Sequence, residues 1–249
     1  MNQLFKILRQ DFSIAVHKWR NAGTLRYKGL TLKIPKQTKR GIRHQIATGV
    51  YEQSEFDFVT RWLRPDLPAI ELGGCLGVVS AHLRNTLNAD QKLIVVEANP
   101  NLIDYCRENA THLHPDSPTE IINAAVAYGT KEIPFHINRN SHISRLAKYG
   151  VKANFMCPTV TLGELVAKLE NQTNYCLVCD IEGAEMDLFR FDVEVLRRCS
   201  VAIVEIHPQF FLKTNFSIDE LFKLANAAGL HKVTQIENVA VFRASEEPE

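Results

Sequence analysis

Apolar residues recur at helical spacing through the start of the chain, with Leu4, Phe5, Leu8, Phe12, Ala15, Val16 and Trp19 on one stripe and Lys6, Arg9, Lys18 and Arg20 between them. This spacing predicts an amphipathic helix whose apolar stripe docks on the protein's own body, on a second copy or on a membrane surface. Residues 25–27 and 30–34 flank Lys28-Gly29 and predict a small hairpin, followed by the basic stretch KQTKRGIRH over residues 36–44. Residues 1–48 therefore read as an N-terminal helix and β-hairpin cap, and residues 49–249 as the main domain.

From Pro68 the pattern changes. The apolar runs PAIEL, KLIVVE, IINAAVA, YCLVCD and SVAIVEI alternate with helical stretches that begin at Val78, Asn101, Leu162, Ala184 and Ile218. Nearly continuous apolar strands separated by helices predict a parallel sheet covered on both faces. The last two runs, HKVTQI and NVAVFRA, are separated only by Glu237, too short a link for a crossover helix, so they are expected to be antiparallel. The fold class is α/β, a doubly wound, mostly parallel sheet with a reversed last strand, and in such sheets ligands sit at the carboxyl ends of the strands. Residues 138–158 read as a long polar connection, a lid or binding loop in which Asn140, Ser141, His142 and Arg145 can meet a polyhydroxylated acceptor.

Composition narrows the class. With 249 residues, 45% hydrophobic and 23% charged, the chain fits one generous globular domain. It has no apolar run long enough to span a membrane, and its first residues lack the pattern of a signal peptide, which points to the cytoplasm or to its membrane-peripheral face. Cys75, Cys106, Cys157, Cys176, Cys179 and Cys199 are read as reduced thiols. Cys176 and Cys179 stand three apart on a strand and so face opposite ways, which argues for buried apolar residues over a redox pair or half a zinc site. The net charge of +1 hides an asymmetry, since residues 1–65 hold 13 Lys+Arg against 4 Asp+Glu. The N-terminal part is expected to meet something anionic: a membrane surface, a phosphate-linked substrate or the acidic remainder of its own fold.

The strand ends carry the chemistry. The first core strand ends in Glu71 and runs into Leu72-Gly73-Gly74-Cys75-Leu76-Gly77 before a helix, a turn that lets a ligand approach the main chain. A dinucleotide fingerprint fails in both frames, because Cys75 and Val78, or Leu76 and Val79, stand where glycines are needed. Glu97 ends the second strand, 26 residues beyond Glu71, a spacing suited to a carboxylate that accepts from two ribose hydroxyls. Asp180 and Glu182 follow YCLVC, and Glu205 and His207 follow SVAIV; residues two apart on a strand share a face, so three carboxylates and one imidazole converge in one crevice. His207 is the candidate base, oriented by Glu205 or Asp180, with Asp180 and Glu182 beside it. A divalent cation held by Asp180, Glu205 and His207 is the alternative use of the same cluster, although nothing in the sequence requires a metal.

The ordered set IELGGCLG, VVEANP, INAAVA, CDIEGAEMDLF and VEIHP, preceded by GVYEQSEFDFV, resembles the FkbM-type S-adenosylmethionine-dependent methyltransferases over residues 49–210. The resemblance implies the class I methyltransferase sheet, a Rossmann-like fold. It also implies that Glu71, Gly73, Gly74, Cys75 and Gly77 form the cofactor loop, that Glu97 holds the ribose, that Asn123 or Ala124 lies beside the adenine, and that Asp180 sits near the methyl group. Where the family commonly reads G-A-N-x-G, this chain has Gly74 and Cys75, so the implied contacts there are main-chain ones. The implied reaction is O-methylation of a carbohydrate, glycolipid precursor or secondary metabolite, a small-molecule or glycan acceptor. Nucleic acid is not expected as a partner, because no recognition module accompanies the basic N-terminus. A non-catalytic nucleoside-binding protein and an NAD-type oxidoreductase are the competing readings.

Overall fold

The computed structural model describes residues 23–137, 145–146, 153–169, 174–211 and 217–245. The expected N-terminal helix and most of the long polar connection, including Asn140, Ser141 and His142, lie outside these residues. Strands β1 (Thr24–Tyr27) and β2 (Leu30–Lys33) form the expected hairpin, with Tyr27 opposite Leu30. Its turn places both Lys28 (φ 44°) and Gly29 (φ 89°) at positive φ, as a tight two-residue hairpin requires.

Two helices follow that the apolar pattern did not announce, α1 (Arg40–Thr48) and α2 (Gln53–Trp62). The run of basic residues hides α1, whose apolar contribution to the core is Ile46 with the partly buried Ile42 four residues before it, beside a buried Arg43. The core then alternates β3 (Ala69–Leu72), α3 (Val78–Thr86), β4 (Leu93–Glu97), α4 (Ile103–Thr111) and β5 (Thr119–Asn123). A second sheet interrupts it with β6 (Ala125–Val126), β7 (Glu132–His136), β8 (Arg145–Leu146) and β9 (Phe155–Val160). After α5 (Leu162–Ala167) come β10 (Tyr175–Cys179), α6 (Glu185–Phe191), α7 (Val193–Leu196), β11 (Cys199–Glu205), α8 (Pro208–Phe211), α9 (Ile218–Ala227), β12 (Leu230–Ile236) and β13 (Val239–Ala244).

The main sheet has seven strands in the order β12-β13-β11-β10-β3-β4-β5. From β11 to β5 every pairing is parallel, and β13 inserts between β11 and β12 antiparallel to both, the reversed last strand read from the sequence. The two faces carry separate apolar layers. Ile70, Ile94, Leu177, Cys179, Ala202 and Phe242 point one way, and Ala69, Val95, Cys176, Val178, Ile203 and Val241 the other, so Cys176 and Cys179 do face opposite sides. The hairpin packs Leu25, Tyr27, Leu30 and Leu32 with Leu76, Val78, Ala81 and Leu102 of the main body. Lys28 pairs with Asp57 at 2.9 Å and Lys33 pairs with Glu108, so part of the N-terminal basic charge meets acidic groups of its own fold.

Two sequence expectations are corrected. IINAAVA is not one strand: the chain leaves the main sheet at Ala124 and continues as β6 in the four-stranded sheet β6-β9-β7-β8. The polar connection ends earlier than expected, because residues 155–158 belong to β9, paired antiparallel with β7 from Phe135↔Phe155 to Glu132↔Pro158. The Pro158 within the run and the short alternation of FMCPTV concealed that strand.

Candidate active site

Strand order reverses between β3 and β10, and the crevice at their carboxyl ends is a cavity of about 290 Å³. The backbone at its floor is held tightly. Gly73 adopts φ +95°, and a Cβ built there would lie 1.8 Å from the carbonyl oxygen of Asp180. Only glycine allows β3 and β10 to approach this closely where the chain turns. Cys75 follows at φ +46°, a left-handed conformation in which its N–H meets the Glu97 carboxylate at 2.7 Å. The second Glu97 oxygen accepts from the N–H of Asn99 at 2.6 Å. Burial raises the Glu97 carboxyl above its ordinary value, and these backbone N–H groups act against that rise.

Gly73, Cys75, Glu97 and Asp180 line the cavity together with Val96, Ala98, Phe135 and the backbone-rich stretch Ala124, Ala125 and Val126. Asn123 turns its amide instead to the carbonyl oxygens of Glu97 (2.8 Å) and Ala98 (3.2 Å), so it braces the end of β4 while Ala124 faces the cavity. Gly74 and Gly77 pack inward, against Val95 and Cys106. Four lining residues carried no signal in the apolar pattern: Ile42 and Gln45 of α1, and Tyr51 and Glu52 in the turn before α2. The Tyr27 hydroxyl from the hairpin donates to the Tyr51 carbonyl oxygen and fixes this turn. The lining holds four carboxylates, Glu52, Glu97, Asp180 and Glu182, and no Lys, Arg or His among the described residues.

Glu71 lies behind the loop, 3% exposed, in a smaller cavity shared with Glu52, Glu55 and Asp180. Its Oε2 has no hydrogen-bond partner among the described residues. Burial pushes its carboxyl up to about 7, a hydrogen bond from Ser80 opposing and the Glu97 charge adding to the rise. Unfolded, the same group titrates near 4.5, so between these values the folded chain keeps a proton that the unfolded chain has lost. Stability contributed by this site therefore falls as pH rises through that window. Glu71→Gln is expected to be more stable than the wild type at pH 8 by about 1 to 3 kcal/mol, with little difference at pH 4, in urea unfolding. Parallel pH dependence in the two chains would contradict this.

The second half of the site is built by the turn after β10 and the segment after β11. Strand geometry does not carry it, as the sequence reading had it, because β10 ends at Cys179 and β11 at Glu205. Glu182 (φ 51°) and Gly183 (φ 102°) turn the chain, and a Cβ on Gly183 would collide with the Phe210 ring at 2.7 Å. The turn brings Glu185, at the start of α6, under His207. His207 Nδ1 and Glu185 Oε1 stand 2.8 Å apart, with Glu185 fully buried and His207 6% exposed. Glu185 also accepts from the Gly183 N–H at 3.1 Å. The orienting partner of His207 is thus Glu185, a residue the sequence reading did not single out, rather than Glu205 or Asp180. The signal that could have found it is helical: Glu185 opens α6, one turn before the buried Leu188 and Phe189.

Nε2 of the same ring faces Asp180 Oδ1 at 3.6 Å, Glu182 Oε2 at 3.8 Å and Glu205 Oε1 at 3.9 Å. Burial alone would lower the histidine, but the Glu185 hydrogen bond and the charges of Glu185, Asp180 and Glu205 raise it to about 9. Asp180 is held well above the usual carboxylate range by burial and by Glu205, and burial also raises Glu205. Groups displaced this far from their ordinary values, gathered at the rim of a cavity, mark a chemical site.

A doubly wound sheet with a glycine turn after its first core strand, a buried carboxylate at the end of the next and an acid-lined crevice between them defines the S-adenosylmethionine-dependent methyltransferase class. The chain belongs to the family described as the methyltransferase FkbM domain, whose profile matches residues 73–229. It is similar over 63 residues, at 36% identity, to the carboxy-S-adenosyl-L-methionine synthase of Sodalis glossinidius, a match spanning 25% of this chain and 26% of that protein. The chain thus matches about a quarter of that curated relative. Among solved structures it is similar to a methyltransferase from Pyrococcus furiosus (11% identity, 96% of this chain and 97% of that one, TM-score 0.46). It is also similar to an NADB-Rossmann superfamily protein from Streptococcus agalactiae (12% identity, 78% and 69%, TM-score 0.47).

The residues present fit the cofactor. The close approach at Gly73 leaves main chain where a side chain would intrude, and Glu97 stands at the β4 end with its carboxylate already fixed by two N–H groups. No described helix is long and apolar enough to cross a membrane.

Proposed function

We propose that the protein is an S-adenosylmethionine-dependent O-methyltransferase acting on a hydroxyl of a carbohydrate, glycolipid precursor or secondary metabolite. The observation that carries this reading is the Glu185–His207 pair at the rim of the cavity, its Nε2 turned toward Asp180 and Glu182, both cavity-lining residues. An aliphatic hydroxyl is a weak nucleophile until its proton has somewhere to go, and this pair supplies the place.

When bound, the cofactor supplies an electrophilic methyl on a positively charged sulfur. Glu97 would hold the ribose hydroxyls, the Gly73–Cys75 main chain would carry the adjoining atoms, and Ala124, Ala125 and Phe135 would enclose the base. Asp180 would stand at the methyl end. Transfer of the methyl to the acceptor oxygen frees that oxygen's proton, which the neutral form of His207, prevailing above about pH 9, would take at Nε2 while Glu185 balances the new charge at Nδ1. Acidic groups with no basic residue beside them among the described lining residues disfavour a pyrophosphate, which weighs against the oxidoreductase reading.

The test begins with thermal unfolding in S-adenosylmethionine, S-adenosylhomocysteine, NAD or buffer. A ligand at about 100 times its dissociation constant adds roughly 2.7 kcal/mol, a rise of about 5 to 10 °C for a chain of this size. Both sulfur nucleosides are expected to produce it and NAD is not. Incubation with labelled cofactor and a panel of sugars and hydroxylated metabolites then locates the methyl. Transfer to nitrogen or carbon alone would overturn the O-methyl assignment, and a shift with NAD alone would overturn the class.

A further inference from the structure

We propose that Asp180, Glu205 and His207 bind one divalent metal cation at the rim of the methyl-transfer cavity. Its catalytic use rests on the methyltransferase reading above, and with the cation bound His207 serves as a ligand in place of proton acceptor.

Each of the three residues offers one donor atom, and the three atoms lie within 4.8 Å of one another. His207 Nε2 is 3.6 Å from Asp180 Oδ1 and 3.9 Å from Glu205 Oε1, too far for hydrogen bonds. Donors about 2.1 Å from a common tetrahedral cation stand roughly 3.4 Å apart, so a small closure completes such a site.

Two independent features point to a ligand. His207 is more than nine-tenths buried, and its hydrogen bond among the described residues is made by Nδ1 to Glu185. With Nδ1 held by Glu185, Nε2 is turned toward the carboxylates, the arrangement in which a metal-ligating histidine is normally held by a carboxylate behind it. Asp180 Oδ1 is shut off from solvent and has no hydrogen-bond partner among the described residues.

One imidazole with two carboxylates suits a borderline divalent cation, such as Mn²⁺ or Zn²⁺, better than Ca²⁺, which prefers oxygen alone. Three protein ligands leave a position open, and Asp180 lines the cavity, so the acceptor hydroxyl can complete the coordination. A hydroxyl bound there is more acidic, and Glu182, 3.8 Å from the same nitrogen, receives its proton.

The experiment titrates the metal-stripped full chain with Mn²⁺, following the loss of the free-ion signal by electron paramagnetic resonance, with Zn²⁺ competition. One ion per chain is expected. Glu205→Gln and His207→Asn should abolish saturable binding, and Glu185→Gln should weaken it about 10- to 100-fold. Binding of S-adenosylhomocysteine by Glu205→Gln, with a cooperative melt, establishes that this variant is folded. Failure of Mn²⁺ and Zn²⁺ to bind a chain that takes S-adenosylhomocysteine overturns the proposal, as does undiminished binding in both ligand variants. A chain that binds Mn²⁺ through these residues but no sulfur nucleoside upholds the cation site and overturns the methyltransferase reading.

Discussion

Gly73→Ala is expected to abolish cofactor binding and to lower stability by at least about 3 kcal/mol. The added Cβ would lie 1.8 Å from the Asp180 carbonyl oxygen and 2.8 Å from its carbonyl carbon, and backbone on both sides leaves nothing flexible to yield. Relief requires the ends of β3 and β10 to separate, which opens the crevice and moves Asp180. The φ of +95° adds strain of its own. Gly129 serves as the control, since it has φ +74° and nothing within 4 Å of a built Cβ. Gly129→Ala should cost only about 1 to 2 kcal/mol from conformation alone. Comparable unfolding curves for the two variants, or wild-type S-adenosylhomocysteine affinity in Gly73→Ala, would remove the close approach as the reason for that glycine.

His207→Asn is expected to lower turnover by about 10²- to 10⁴-fold while S-adenosylhomocysteine binds as in the wild type. Asparagine is the informative choice because its amide can still donate to Glu185. His207→Ala would leave a fully buried carboxylate without its partner, costing about 3 to 5 kcal/mol, and the loss of activity would then be mixed with unfolding. The effect belongs in kcat, since His207 is not among the described residues that line the cofactor cavity and faces it beside Asp180 and Glu182. Full turnover in His207→Asn would end its role in handling the acceptor's proton, whether as base or as ligand.

Much of the site was legible before any coordinates. Glu71, Gly73, Glu97, Asp180, Glu182, Glu205 and His207 are all found at or just beyond the carboxyl ends of β3, β4, β10 and β11. They could be read because each follows an apolar run, and a polar residue at the end of a buried strand stands out from its neighbours. Glu185 could not be read in that way. It lies in the first turn of a helix, where acidic residues are common, and nothing local distinguishes a fully buried carboxylate from a solvated cap.

The sequence by itself determined the alternation of strands and helices, the parallel sheet, the reversed last strand and the strand ends that carry charge, because burial on both faces leaves a periodic record along the chain. Only the tertiary structure decided that Ile42, Gln45, Tyr51 and Glu52 close the cavity, that β6 leaves the main sheet, and that Glu185 rather than Glu205 or Asp180 holds His207. Those outcomes depend on how separate elements pack: the hairpin's Tyr27 on the turn at Tyr51, and Phe210 against the bare backbone of Gly183. Contacts between residues distant along the chain leave no local period, so they emerge only when the packed chain brings them together.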